Sequence, residues 1–166
     1  MNTNKKIIKV AIAPGSSFSS GLDLDSLINF LSLKTNFDFK TIRCKSYKEA
    51  ISKLTTGQAQ MGWLGPFSSN EATKKGLIEP FAVGLPKDQD SPNYHSLFVV
   101  KTESKIYNLN DIRRKKIIVC NKYSTSGYII PKIELNEIGI NIDNNSEFSE
   151  IFRTKNHDET IKKLLN

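Results

Sequence analysis

The chain is poor in the residues that build most small-molecule chemistry. Of 166 residues, two are cysteine, two are histidine and one is tryptophan. Cys44 and Cys120 lie far apart, form no CxxC pair and have no nearby partners to complete a metal site. That excludes a disulfide framework and gives no basis for a zinc ribbon or any other metal site. Both cysteines close apolar runs, so buried thiols are expected, with a disulfide between them left open. No apolar run approaches the ~20 residues of a membrane-spanning helix, so no stable membrane insertion is expected. The opening stretch "MNTNKKIIKVAIAPG" has positive charge but no signal-peptide core or lipobox, and its short apolar run reads as a strand. On that reading the chain works in the cytoplasm, or a leader or part of the reading frame has been left off. The formal charge is +7, yet Lys and Arg are scattered except in "KKIIK" and "RRKK". Basic residues do not alternate with aromatics as they do on RNA-binding surfaces, so solvated surface charge is the reading and no nucleic acid partner is expected. There is no G-x-S-x-G elbow for a hydrolase, no internal repeat and no low-complexity tract.

What is present is a globular composition, 38% apolar and 25% charged, in an alternating order. Apolar runs with strand character are followed by segments of helical spacing, as in an α/β protein. Strands are expected at 7–13, 37–44, 59–65, 78–85, 94–101, 116–120 and 147–154. Helices are expected at 24–36, 46–57, 66–76, 108–115, from Gly127 to Gly139, and at 156–166. Ser46 with Glu49 three residues on forms a capping box, and Pro66 with Gly76 gives the usual proline-start, glycine-stop asymmetry. The polar turn "PKDQDSPN" at 86–93 is the natural boundary between two units.

One short stretch concentrates hydrogen-bond donors. "NKYSTSGYII" places Ser124, Thr125 and Ser126 between a strand and a helix start, where free backbone N–H groups and the positive end of the helix dipole favour an anion. The plainer alternative is that one serine caps the helix and the others fill the loop. Local sequence alone leaves both open.

The ordered set "SYKEAISKLTTGQAQMGWLGP", "YHSLFVV", "NLNDIRRKKI", "STSGYIIPKIELNEIGI" and "NHDETIKKLLN" resembles the phosphate/phosphite/phosphonate substrate-binding proteins of ABC importers, the PhnD-like family. The resemblance covers almost the whole chain and corresponds to roughly the first half to two thirds of a family member. It implies a type II periplasmic-binding-protein-like fold: two α/β lobes joined by crossing strands, with the ligand in the cleft between them. Lobe one would be 1–90 and lobe two 91–166, the latter incomplete. It further implies that Ser124, Thr125 and Ser126 hold the oxyanion, and that Tyr47 and Tyr94 are aromatics of the cleft. His157 would approach the ligand from lobe two. The implied partners are a small phosphorus oxyanion and a transporter permease, with no cofactor and a place in the periplasm or cell envelope. Two departures stand out. Two acidic ligand contacts that relatives supply further along have no counterpart here, and Phe67-Ser68-Ser69 follows "GP" where relatives often carry a tyrosine.

Each site residue also has a structural reading. Tyr47 and Tyr94 could be half-buried packing aromatics, and His157 an exposed residue at a helix start. His95 falls on the opposite face of its strand from Tyr94, and Trp63 reads as packing. A hydrolytic enzyme, an intracellular sensing module of the same fold and a non-functional truncated remnant are the rival classes.

Overall fold

A computed structural model describes residues 5–14, 24–74, 76, 78–85 and 88–166. The stretch "PGSSFSSG" at 14–21, which reads as a loop from its glycine and serine content, lies almost wholly outside these residues. The chain divides into two compact units, Met1–Asn93 and Tyr94–Asn166.

In the first unit, β1 (Lys6–Ile12), β2 (Phe37–Arg43) and β3 (Met61–Trp63) form a parallel sheet in the order β2-β1-β3. As the central strand, β1 carries the longest buried run: Val10, Ala11 and Ile12 are all buried, as expected for a parallel strand covered on both faces. Helix α1 (Leu24–Lys34) contributes Leu24 and Ile28 to a core with Val10 and Ile12, against which Phe39, Met61 and Trp63 pack. Helix α2 (Tyr47–Thr55) starts at Ser46, whose hydroxyl accepts from Glu49 N–H at 3.1 Å. The Glu49 carboxylate reaches back to Lys45 N–H at 2.7 Å, so the box closes one residue earlier than the sequence pattern implies. Helix α3 (Pro66–Thr73) begins with proline behind Gly65.

In the second unit, β4 (Lys116–Val119) and β5 (Glu150–Arg153) pair in parallel, with Val119 opposite Arg153. Helix α4 (Ile130–Glu137) ends at Gly139, whose φ of 72° suits glycine alone without strain. Ile140 N–H bonds back to Leu135 C=O at 2.8 Å, and both side chains are fully buried. That pairing of a 6→1 bond with an apolar contact is a Schellman stop. Leu135, Ile140 and Ile142 join Val119, Tyr128 and Phe148 as the core. Helix α5 (His157–Leu165) follows β5 and is capped by Asn156.

Three expectations are corrected. Residues 78–85 and 94–101 are not strands: among the described residues neither run joins a sheet, and Phe81 and Leu97 stand 78% and 75% exposed. An apolar run forms a strand only where a neighbouring backbone completes its ladder, and propensity alone does not supply one. The helix expected at 108–115 is reduced to a 3-10 turn, Leu109–Ile112, closed by an Asn108/Asp111 capping box. Arg114, at φ 60°, turns the chain into β4. No described helix is long and apolar enough to cross a membrane.

Candidate functional site

Because β4 and β5 are parallel neighbours, the segments that follow them leave the sheet on one edge. In open α/β sheets this carboxyl edge is where ligands bind. Here it receives the hydroxyl stretch from β4 and His157 from β5.

The hydroxyl stretch does not lead directly into an α-helix. Residues Thr125–Ile129 form one π turn with Ser124 as its cap. Ile129 N–H bonds to Ser124 C=O at 3.1 Å, and Ile130 N–H reaches Thr125 C=O. Both bonds span five residues instead of four. The next residue, Pro131, has no N–H to give. Gly127 C=O, which a regular helix would pair with residue 131, instead accepts from Cys120 N–H at 2.9 Å and ties the loop to the end of β4. Likewise Ser126 C=O is free of the helix ladder and accepts from Ser96 Oγ at 2.7 Å. Single π turns of this kind recur at functional sites.

The three hydroxyls are placed differently. Ser124 is 4% exposed and its Oγ accepts from Gly127 N–H at 3.1 Å, which leaves its own proton to donate outward. Thr125 and Ser126 are half-buried. The exposed imidazole of His157 lies with Nε2 3.5 Å from both Ser124 Oγ and Ser126 Oγ. That distance is at the outer limit of a direct hydrogen bond. It suits groups that donate to one shared acceptor. Neither the π turn nor α4 has an acidic residue in its first turn, so the positive end of this helix keeps no carboxylate of its own.

Gly127 is required by crowding. A Cβ there would lie 2.5 Å from Cys120 Cβ, 2.9 Å from Ser124 Oγ and 3.0 Å from His157 Cε1. The bare Cα lets strand end, hydroxyl and imidazole close on the same point. Ser126, Gly127 and His157 also line a cavity of about 960 Å3 within the second unit, whose other walls include Leu97, Ile117 and Phe152.

The structure thus brings Ser124, Ser126 and His157 together, with Thr125 beside them. Tyr94 opens the second unit and is 54% exposed. The hydroxyl from its segment that reaches the loop is that of Ser96. Sequence reasoning missed Ser96, although alternation puts it on the same side as Tyr94. His95, assigned to the opposite face, lines the cavity. Tyr47 belongs to the first unit, where it is the first residue of α2 and 6% exposed. Trp63 packs on the first core as expected. The two thiols are free and buried, and burial followed by the nearby Glu49 charge pushes Cys44 above its usual value. Among the described residues no group of three or more His, Cys, Asp or Glu side chains could hold a metal ion.

Residues 16–166 match the family model for the phosphonate periplasmic substrate-binding protein of ABC transporters. The chain is similar to a phosphate-import protein PhnD of Mycolicibacterium smegmatis, 25% identical over 136 residues covering 81% of this chain and 42% of that protein. It is also similar to the phosphonates-binding periplasmic protein of Escherichia coli, 33% identical over 89 residues covering 51% of this chain and 26% of that one. The chain therefore spans less than half the length of these relatives. Its fold matches a binding protein component of an ABC phosphonate transporter from Pseudomonas aeruginosa, with a TM-score of 0.70 at 18% identity over 97% of this chain and 54% of that one. It also matches PhnD1 from Prochlorococcus marinus in complex with methylphosphonate, with a TM-score of 0.65 at 19% identity over 97% and 60% of the two chains. These relatives are import and binding proteins. The chain belongs to the phosphonate periplasmic substrate-binding protein family of ABC transporters.

Proposed function

We propose that this chain is a solute-binding component of an ABC importer and takes phosphonate-, phosphite- or phosphate-type oxyanions on the Ser124–Ser126 loop. The observation that carries the reading is the position of His157 Nε2, 3.5 Å from two loop hydroxyls at a helix start that has no acidic residue of its own. A phosphoryl group presents several acceptor oxygens with one or two negative charges. Hydroxyls, helix N–H groups and an imidazole can donate to them in a fixed arrangement that needs little rearrangement on binding. Uncharged donors also keep the anion releasable, which delivery to a permease requires. His157 would donate from Nε2.

Tyr47 and Tyr94 remain part of the proposal on family resemblance. Tyr94, 54% exposed, has the exposure a ligand contact needs, whereas Tyr47 is 6% exposed. A periplasmic or cell-envelope location and a permease partner are proposed on the same ground. The test is isothermal titration of the protein with phosphate, phosphite, methylphosphonate and 2-aminoethylphosphonate, with sulfate as a control. Saturable binding of one phosphorus oxyanion is expected. A cooperatively folded protein that binds none of them would overturn the reading.

A further inference from the structure

Behind the hydroxyl loop lies a carboxylate that the site itself does not use. Asp143 follows Ile142, which is fully buried in the second core, so its backbone is anchored. Its N–H donates to Asn141 Oδ1 at 2.9 Å, which shapes the turn. The carboxylate then accepts from three separate places. Tyr128 Oη, one residue past Gly127, donates at 2.6 Å and 2.8 Å to its two oxygens. Lys132 Nζ of α4 donates at 2.7 Å, and Arg153 Nη2 at the end of β5 donates at 2.8 Å. The Arg153 guanidinium and Lys132 ammonium also stand over the Tyr128 ring, 5.3 Å and 5.8 Å from its centroid. These donors, led by Lys132 and then Tyr128, hold the Asp143 carboxyl at about 2, below its ordinary 3.8.

The connectivity gives this cluster its meaning. Tyr128 lies in the same π turn as Thr125 and Ser126, the turn that Ser124 caps. Arg153 precedes His157 by four residues, and Thr154 N–H between them bonds Val119 C=O of β4 at 3.0 Å. One carboxylate therefore fastens the hydroxyl loop to the strand end that launches His157. We propose that Asp143 is a positioning residue for the anion site: it holds the Ser124–Ser126 hydroxyls and the His157 imidazole in mutual register without touching the ligand. This rests on the anion-binding reading given above. Groups that support a binding residue from behind cost roughly 10–100-fold in affinity when removed, a scale set by metal sites.

The test combines two readouts on Asp143→Ala and Tyr128→Phe. With only two histidines in the chain, a His95→Gln variant assigns the ring Cε1–H NMR signal of His157. In ligand-free protein both variants are expected to shift that signal, since the imidazole loses its fixed distance to the two hydroxyls. Methylphosphonate affinity should fall roughly tenfold or more in Asp143→Ala and less in Tyr128→Phe, which keeps the Lys132 and Arg153 bonds. Glu150→Gln, which breaks an exposed ion pair with Lys116, should move neither readout. An unmoved His157 signal or wild-type affinity in the folded variants would overturn the proposal. If Asp143→Ala does not fold, Tyr128→Phe and Asp143→Asn decide it. If the wild-type protein binds no anion, the functional reading falls, and the ligand-free His157 signal still decides whether Asp143 positions the ring.

Discussion

Among the described residues two serines cap helix starts, and they do opposite things with the charge there. At the start of α2, Ser46 accepts from Glu49 N–H, and Glu49 turns its carboxylate back onto Lys45 N–H. The start of α5 repeats the arrangement: Asn156 accepts from Glu159 N–H, and Glu159 accepts from Lys155 N–H. At both, the chain supplies its own anion to the positive helix end. At Ser124 the residue that would carry that acid is Gly127, and the first turn has none. Hydroxyls and the His157 imidazole stand there instead. A serine cap closed by a glutamate is finished structurally, whereas a serine cap followed by a crowded glycine still has donors to offer. The identity of the third residue after the cap separates the two cases, and it is visible in the sequence.

The strongest break in that comparison is at Gly127. Gly127→Ala places a methyl 2.5 Å from Cys120 Cβ, so the loop must move off the strand end. A stability loss of about 1–3 kcal/mol is expected from overpacking, together with loss of methylphosphonate binding, read by thermal unfolding and titration. Next comes a matched pair of cap deletions. Ser46→Ala and Ser124→Ala should each cost about 1 kcal/mol as lost caps. Only Ser124→Ala should also weaken anion binding; equal binding in the two variants would erase the distinction between the caps.

The smallest effect is confined to acid. Because hydrogen bonds from Lys132, Tyr128 and Arg153 lower the folded-state Asp143 carboxyl to about 2 from an ordinary 3.8, its contribution is fully present above the unfolded value. It is lost as pH falls from there towards 2. The melting temperature of Asp143→Asn should therefore trail wild type by a constant amount above about pH 5 and converge with it towards pH 2. A gap that persists at pH 2 would mean that Asp143 acts through packing alone. The half-exposed side chain keeps the effect modest.

Much of this architecture was legible from periodicity and punctuation. The order β1-α1-β2-α2-β3-α3 follows from apolar runs bounded by Ser46, Gly57, Pro66 and Gly76, and α5 from Asn156 with Glu159. Runs 78–85 and 94–101 misled because their composition is that of strands while their pairing depends on a neighbour the local sequence does not specify. The hydroxyl stretch could be placed at a strand-to-helix turn, but not its π geometry. That geometry depends on Pro131 withholding a donor and on Cys120 taking the carbonyl it leaves, a contact across the turn that no window along the sequence displays. Nor could spacing reveal Asp143, which meets Tyr128 only after the chain has folded back around a turn. Tyr47 carried a family signal, and the structure adds that it opens a helix already neutralised by Glu49.

The central claim is that the Ser124 helix start is built for an external anion. The most direct measurement is isothermal titration of methylphosphonate into the wild-type protein and into the Ser124→Ala/Thr125→Ala/Ser126→Ala variant. The account predicts saturable binding to the wild type, and its loss in a variant that still unfolds cooperatively. Undiminished affinity in the triple variant would contradict it and place the anion elsewhere in the molecule.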